Sequence, residues 1–437
     1  MKVVLIHPPS PRDGGNWRRG GRTPVGLSYI AAVVLQLGHE CTIIDAESLS
    51  MPVEEIDRQL RQLQPDVVGM TCTTPLFPAT VQIAAMARQA IPGVTIVAGG
   101  PHVNALPRES LQANPNLDFV VVGEGEITFT RLLELLVAGR TPDHEPGLGY
   151  RTPDGAIIIG PPRPLIQDLD SLPPPAWNKL PLHAYTDESQ FPGGVRYAIL
   201  ISSRGCPFNC TFCASQVTWG RKVRFRSPRR LIPELEELVK VHGVSVLWFA
   251  DDTFTLNKKH VRAVCQGVID AGLEVNIKCS SRVDTIDAER LKWLAAAGCS
   301  EITFGCESAD PGILKVIGKE IRLEKVRPAF ELVHSFGIQV HSSWIIGNPG
   351  DTRETIEKTI DFAIDSGTDK AQFTLMTPYP GTPLWETALE KNRLQAPDFM
   401  KFRWYYNVVA NLSEVSDQEL LDWQQEAYRR FESSRRK

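Results

Sequence analysis

The chain has 437 residues and 47 Lys and Arg against 51 Asp and Glu, a formal charge of -4. That length predicts two or three domains, and the balance of charge excludes a nucleic-acid-binding surface as the organising feature. No apolar run reaches the ~20 residues that span a bilayer. Met1–Ile6 runs into His7-Pro8-Pro9 too soon for a signal peptide, so the reading is a cytoplasmic protein without a transmembrane segment.

Residues 1–140 alternate short apolar strands with amphipathic helices. Strands are predicted at Val3–His7, Cys41–Asp45, Asp66–Cys72, Val94–Gly99 and Asp118–Val122, with helices near 25–37, 54–63, 78–90 and 127–137. Such βα repetition implies an α/β domain with a parallel sheet, most simply the doubly wound flavodoxin-like, Rossmann-like order, which binds ligands beyond the carboxyl ends of its strands. The loops at those ends are His7–Gly15 with Pro8, Thr71–Pro75 with Thr73 and Thr74, Gly99-Gly100-Pro101-His102, and Gly123-Glu124-Gly125-Glu126. Glycines let backbone approach a ligand, and threonine hydroxyls can meet amides or phosphate. No G-x-G-x-x-G follows the first strand, which removes a dinucleotide fingerprint.

Residues 141–195 are dense in proline and read as a linker. From 196 to 390 the rhythm resumes with six predicted strands, Tyr197–Ser203, Ser245–Ala250, Glu274–Cys279, Glu301–Cys306, Gln339–Ile346 and Lys370–Met376, separated by five helices. Six βα units make a partial (β/α)6 TIM barrel, with chemistry expected at the carboxyl ends of its strands. Residues 391–437 form a short extension with Phe399, Phe402, Trp404, Tyr405 and Tyr406, then a helical tail ending in Arg435-Arg436-Lys437. That tail could close the active site or cover the barrel.

Directly after the first barrel strand stands Cys206-Pro-Phe-Asn-Cys210-Thr-Phe212-Cys213. A lone C-x-x-C also serves zinc knuckles and redox dithiols; C-x-x-x-C-x-x-C is more restrictive, and no fourth cysteine or histidine lies near to complete a zinc tetrahedron. Three thiolates on a four-iron cluster leave one iron open to bind and activate a small molecule. The other six cysteines, Cys41, Cys72, Cys265, Cys279, Cys299 and Cys306, are scattered singly and read as buried small hydrophobes rather than disulfides. Cys279 and Cys306 fall near strand ends, where either could face substrate.

The three-cysteine spacing, with an aromatic at Phe212, resembles the radical S-adenosylmethionine (AdoMet) superfamily. Together with the H-P-P opening, Pro65–Gly69, Ala98–His102 and Val122–Glu126, it is similar to the cobalamin-binding class of that superfamily over about residues 1–390. The resemblance implies a 4Fe-4S cluster on Cys206, Cys210 and Cys213, with AdoMet chelated by the open iron and cleaved to a 5′-deoxyadenosyl radical that abstracts a substrate hydrogen. It implies AdoMet contacts among Phe212, Asp251, Asp252, Ser281, Arg282, Glu307, Ser308 and Gly347. Cobalamin contacts are implied at Pro8, Thr71, Thr73, Thr74, Gly99, Gly100, Pro101, His102, Gly123, Glu124, Gly125 and Glu126. D-x-H-x-x-G does not occur here, so no histidine is expected below cobalt; neither His7 nor His102 lies in that context. The leading expectation is a methyltransferase that passes a methyl group from methylcobalamin to a small-molecule substrate radical, fed by an external low-potential donor of flavodoxin or ferredoxin type. Two others stand beside it: an oxidative cyclase or other non-methylating radical enzyme, and a non-catalytic iron–sulfur and corrinoid protein. Weaker substrate-side candidates are Tyr379, His341 and Trp344, and Arg282 is balanced between an AdoMet contact and a salt bridge between loops. No feature sets an oligomeric state.

Overall fold

In a computed structural model of the chain the described residues are 1–10, 23–186, 194–395, 397–403, 405 and 407–435. The distal part of the His7–Gly15 loop, Trp404, Tyr406 and the last two residues lie outside them. The chain divides into two compact units. One is Met1–Ile199 with Ala214–Gly220 and Lys240–Val244; the other is Leu200–Cys213 with Arg221–Val239 and Ser245–Lys437.

In the first unit β1 (Lys2–His7), α1 (Val25–Gln36), β2 (Glu40–Asp45), α2 (Val53–Leu63), β3 (Val67–Thr71), α3 (Phe77–Ala90) and β4 (Thr95–Gly99) are followed by α4 (Pro101–Ala105), α5 (Pro107–Ala113), β5 (Phe119–Val121) and α6 (Gly125–Val137). The sheet order is β2-β1-β3-β4-β5-β6-β7, with β1 to β5 parallel, so the flavodoxin-like order is present. β1 and β3 are continuous apolar runs because helices cover both faces; Val3, Leu5, Val67, Val97, Phe129 and Leu132 pack with Leu27 and Ala31 of α1.

β6 (Leu148–Arg151) and β7 (Ile157–Ile159) correct the linker reading of 141–195. They form an antiparallel hairpin that extends the first sheet beyond β5. The prolines that suggested a linker flank these two strands, where no ladder hydrogen bond is needed.

The second sheet runs β15-β14-β13-β12-β11-β8, a consecutive order. Its strands are β8 (Tyr197–Leu200), β11 (Val246–Phe249), β12 (Asn276–Ser281), β13 (Cys299–Glu307), β14 (Gln339–Ile346) and β15 (Lys370–Leu375), and the pairs from β11 to β15 are parallel. Between β8 and β11 lie a two-stranded ribbon of β9 (Ser203–Arg204) and β10 (Arg224–Phe225), α7 (Ser215–Trp219) and α8 (Pro228–Glu236). The later helices are α9 (Lys258–Asp270), α10 (Ala288–Ala296), α11 (Pro311–Val316), α12 (Val326–His334), α13 (Arg353–Asp365), α14 (Pro383–Glu390) and α15 (Asp417–Arg435). Several start on a side-chain cap at the end of a strand loop: Asn257 for α9, Asp287 for α10, Asp310 for α11 and Thr352 for α13.

The tail helix covers the open edge of β15. Gln424 Nε2 donates to the Phe373 carbonyl at 2.8 Å, and the Phe373 amide donates to the Tyr428 hydroxyl at 3.1 Å. Side chains of α15 thus occupy ladder groups that a free edge would present to another chain. Among the described residues no helix is long and apolar enough to cross a membrane.

Candidate active site

The Cys206–Cys213 loop leaves β9 at the carboxyl-end side of the second sheet and is held by backbone and ring contacts. The Thr211 amide donates to Ile317 O at 2.9 Å, and Leu384 N donates to Thr211 O at 3.0 Å. Gly318, at φ +65°, lies so close that an added Cβ would stand 2.6 Å from Asn209 O. The Arg282 guanidinium stacks on the Phe208 ring at 3.6 Å and is itself clamped by Asp284 at 3.0 and 2.9 Å, with a further bond of 3.2 Å to Glu320 O. Arg282 therefore braces the loop, and its two-pronged carboxylate contact is made by Asp284.

The three thiols and Phe212 are half-buried. Burial raises the Cys206 and Cys210 pKa values; Asp252 adds to this at Cys206 and Glu307 at Cys210, while Arg282 opposes it at both and Lys319 at Cys210. Two cations beside the thiols suit a group that must hold thiolates. Among the described residues no three His, Cys, Asp or Glu side chains converge on one metal ion. A cluster with a separate iron for each thiolate does not ask them to, so the donor set fits an iron–sulfur cluster better than a single ion.

The two adjacent carboxylates separate cleanly. Asp251 is buried and accepts from Ser202 N at 3.0 Å, Ser202 Oγ at 2.8 Å and the Ser203 hydroxyl. It locks the turn from which the cysteine loop departs. Asp252 is exposed on the cluster side.

Glu307 combines a β-bulge between β13 and β14 with φ +68°, a left-handed backbone rare outside glycine. Its carboxylate takes the Lys319 ammonium at 3.1 Å, directly over Gly305, where any Cβ would stand 2.4 Å from Glu307 Oε1. Lys319 was not singled out from sequence: it lies twelve residues on, in a polar loop with no motif, and only the fold returns it.

The other expected contacts have their own local partners. Ser308 is buried, 3.3 Å from Thr359 of α13, and receives the Asp310 amide. Ser281 is buried in a hydroxyl cluster with Thr255, at 2.6 Å, and Thr285. Gly347 lies under Leu420 of α15. Cys279 and Cys306 are fully buried, on the side of the sheet away from the half-exposed positions, and so do not face substrate. Trp344 packs on Phe362 of α13, and the Tyr379 hydroxyl donates to Phe402 O at 3.1 Å.

In the first unit the order of strands reverses between β1 and β3, the crevice where such sheets take ligands. Gly100, at φ +101°, would put a Cβ 2.9 Å from both Cys72 N and Cys72 O, so the turn after β4 requires glycine. Gly123 N donates to Asn104 Oδ1 at 2.9 Å, while Asn104 Nδ2 is a buried donor without an acceptor. Thr73 and Pro101 are exposed and Thr71, Gly99, Gly100, Gly123 and Gly125 half-exposed. These glycine edges, a hydroxyl and an orphaned amide donor fit an amide-rimmed ligand such as a corrin.

Pro8, Thr74, His102, Glu124 and Glu126, expected as cobalamin contacts, are buried. His102 lies against Phe77 with ring centroids 4.4 Å apart, and burial lowers its pKa to about 4; Glu124 accepts the Ile166 amide at 2.7 Å. They build the loops. Asp45 at the end of β2 accepts from His7 at 2.9 Å and from Tyr185 Oη at 2.7 Å, a pairing the separation in sequence concealed.

A strand-end three-cysteine loop and a flavodoxin-like sheet with a glycine-rimmed crevice define a protein that joins iron–sulfur AdoMet chemistry to a corrinoid. Two family models match: a B12 binding domain at residues 19–133 and the Radical SAM superfamily at residues 200–363. An uncharacterized methyltransferase of Pyrococcus horikoshii is 38% identical over 404 residues, 92% of this chain and 86% of that protein. The anaerobic magnesium-protoporphyrin IX monomethyl ester cyclase of Cereibacter sphaeroides is 31% identical, over 99% of this chain and 70% of that protein. Among solved structures the radical AdoMet methyltransferase TsrM of Kitasatospora setae, with cobalamin and a [4Fe-4S] cluster bound, superposes with a TM-score of 0.74 at 19% identity over 90% of this chain and 78% of its own. The cobalamin-dependent AdoMet radical enzyme OxsB does so with 0.77 at 18% identity, over 99% and 66%. The chain belongs to the cobalamin-dependent radical AdoMet enzymes.

Proposed function

We propose that the protein is a methyltransferase that activates an unreactive carbon of a small molecule. The observation that carries this is the Cys206-x-x-x-Cys210-x-x-Cys213 loop, braced through Phe208, Thr211 and Gly318, in a chain that also carries a B12 binding domain. Cys206, Cys210 and Cys213, at the carboxyl-end side of the second sheet, would hold a 4Fe-4S cluster. When bound, that cluster supplies the electron that opens AdoMet, and the corrinoid supplies the methyl carrier.

The chain's own groups bind and orient. Asp252 and Glu307 take the AdoMet ammonium, and Lys319 fixes the Glu307 rotamer beside Cys210. Arg282, in its Asp284 clamp, holds the loop through Phe208. Thr71, Thr73, the Gly99-Gly100 edge, Gly123, Gly125 and the Asn104 amide would hold the corrin rim. We place the protein in the cytoplasm, where scattered free thiols remain reduced, served by a flavodoxin- or ferredoxin-type donor.

The cyclase similarity across 99% of the chain favours a second reading, radical oxidation without methyl transfer. AdoMet with a trideuterated methyl group separates the two. Reconstituted protein is incubated anaerobically with reductant and a small-molecule extract of cells lacking the gene. Methyl transfer places the label in a new product; consumption of an extract component without label, alongside 5′-deoxyadenosine, favours the oxidation.

A further inference from the structure

We infer that the surface of α11 and the turn after it, carrying Lys315, Arg322 and Lys325, is the docking site of an acidic electron-transfer protein that feeds the cysteine loop. Residues 311–328 hold Lys315, Lys319, Arg322, Lys325 and Arg327 against Glu320 and Glu324, in a chain whose overall charge is -4. Lys315, Arg322, Lys325 and Arg327 are exposed, and the first three form no ion pair among the described residues. Glu320 and Glu324, exposed between them, leave the patch cationic. The chain around the cysteines has the same sign: between Gln190 and Pro233 it has eight Arg or Lys and no Asp or Glu.

The same surface is the wall behind the cysteine loop, within one compact unit. Val316, 54% exposed, is followed by the fully buried Ile317, whose carbonyl takes the Thr211 amide at 2.9 Å. Gly318 then lies against Asn209, with its Cβ position 3.7 Å from the Cys210 Cα. A single thickness of chain therefore separates Cys210 from the exposed Lys315-Val316 edge. An electron delivered at that edge has a short route to the sulfur.

A cavity of about 360 Å3 opens in this surface, lined by Leu314, Ile321 and Leu323 together with Lys315 and Arg322. Leu314 and Ile321 are buried, so an apolar floor stands beside exposed cations. That arrangement fits an apolar side chain of a partner ringed by carboxylates, the core-and-rim pattern of protein interfaces. Glu320 and Glu324 line the cavity as well, which disfavours a small free anion as its occupant. Transient redox contacts are small, below roughly 1,200 Å2, and opposite charge sets their rate of encounter. The carrier gives up one electron and the cluster on the three cysteines takes it up, with no bond made or broken. The inference rests on the radical AdoMet reading, which is what requires an electron at Cys206–Cys213.

The test uses the anaerobically reconstituted protein and an acidic bacterial flavodoxin. Association is read by calorimetry at low and high salt, with no AdoMet present. Binding is expected at low salt, weakening as salt rises, and about tenfold weaker in the double variant Lys315→Glu, Arg322→Glu. The matched reversal Lys259→Glu, Lys292→Glu on α9 and α10 should bind as wild type does. AdoMet cleavage driven by NADPH, flavodoxin reductase and flavodoxin should fall in parallel in the first variant, while cleavage driven by dithionite keeps its wild-type rate. No association with wild type, or equal affinity in the two double variants, overturns the proposal. Failure of dithionite to drive cleavage in wild type overturns the radical reading instead, and the association measurement still decides the docking surface.

Discussion

Asp251 and Asp252 show how far one residue's surroundings decide its role. Asp251 spends its acceptors on Ser202 and Ser203, whereas Asp252 is exposed and its charge acts on Cys206. Asp252→Asn should raise the AdoMet Kd about tenfold, ~1.4 kcal/mol, at unchanged iron content; Asp251→Ala should lower iron per chain. Equal effects of both on AdoMet affinity would contradict the division. Sequence could not separate the two, because which carboxylate turns inward depends on the strand-end geometry. The cysteine motif was legible because its spacing is local, and Lys319 was not, because its meeting with Glu307 is made by a bulge and a loop. Two buried histidines add a pH dependence: burial lowers His102 and His260 to about 4, below an unfolded value near 6.5. Unfolded chains then bind more protons between those limits, so stability is full above pH ~6.5 and falls as pH drops toward 4, by up to ~3 kcal/mol per histidine. Denaturant titrations of wild type and His102→Gln should show a shallower pH slope in the variant; equal slopes would place the effect elsewhere.

At the scale of elements, the alternation of strand and helix pointed to parallel pairing of β1 to β5 and of β11 to β15, since continuous apolar strands between amphipathic helices leave few other solutions. The β6–β7 hairpin escaped notice because two strands of four and three residues carry less signal than the prolines around them. The cysteine loop depends on close approach. Gly318→Ala would force the φ +65° turn and press Asn209 O away, so cluster content after reconstitution should fall several-fold while the circular dichroism of the fold persists. Arg282→Lys should act in the same direction, because a point ammonium cannot stack on Phe208 and fill the Asp284 fork together. In the first unit Gly100→Ala should abolish retention of hydroxocobalamin through gel filtration; a retained corrin spectrum would remove that turn from the site.

For the molecule as a whole, the claim is that one chain couples AdoMet cleavage at Cys206–Cys213 to a corrinoid held by residues 1–140. Neither unit's fold alone implies methyl transfer. The most direct measurement uses anaerobically reconstituted protein with cobalamin, a low-potential reductant and AdoMet bearing a trideuterated methyl group. The account predicts 5′-deoxyadenosine and methionine from wild type, none from Cys206→Ala, and deuterated methyl recovered on the protein-bound corrinoid. A Cys206→Ala variant that cleaves AdoMet as wild type does, or a corrinoid that never acquires the label, would contradict it.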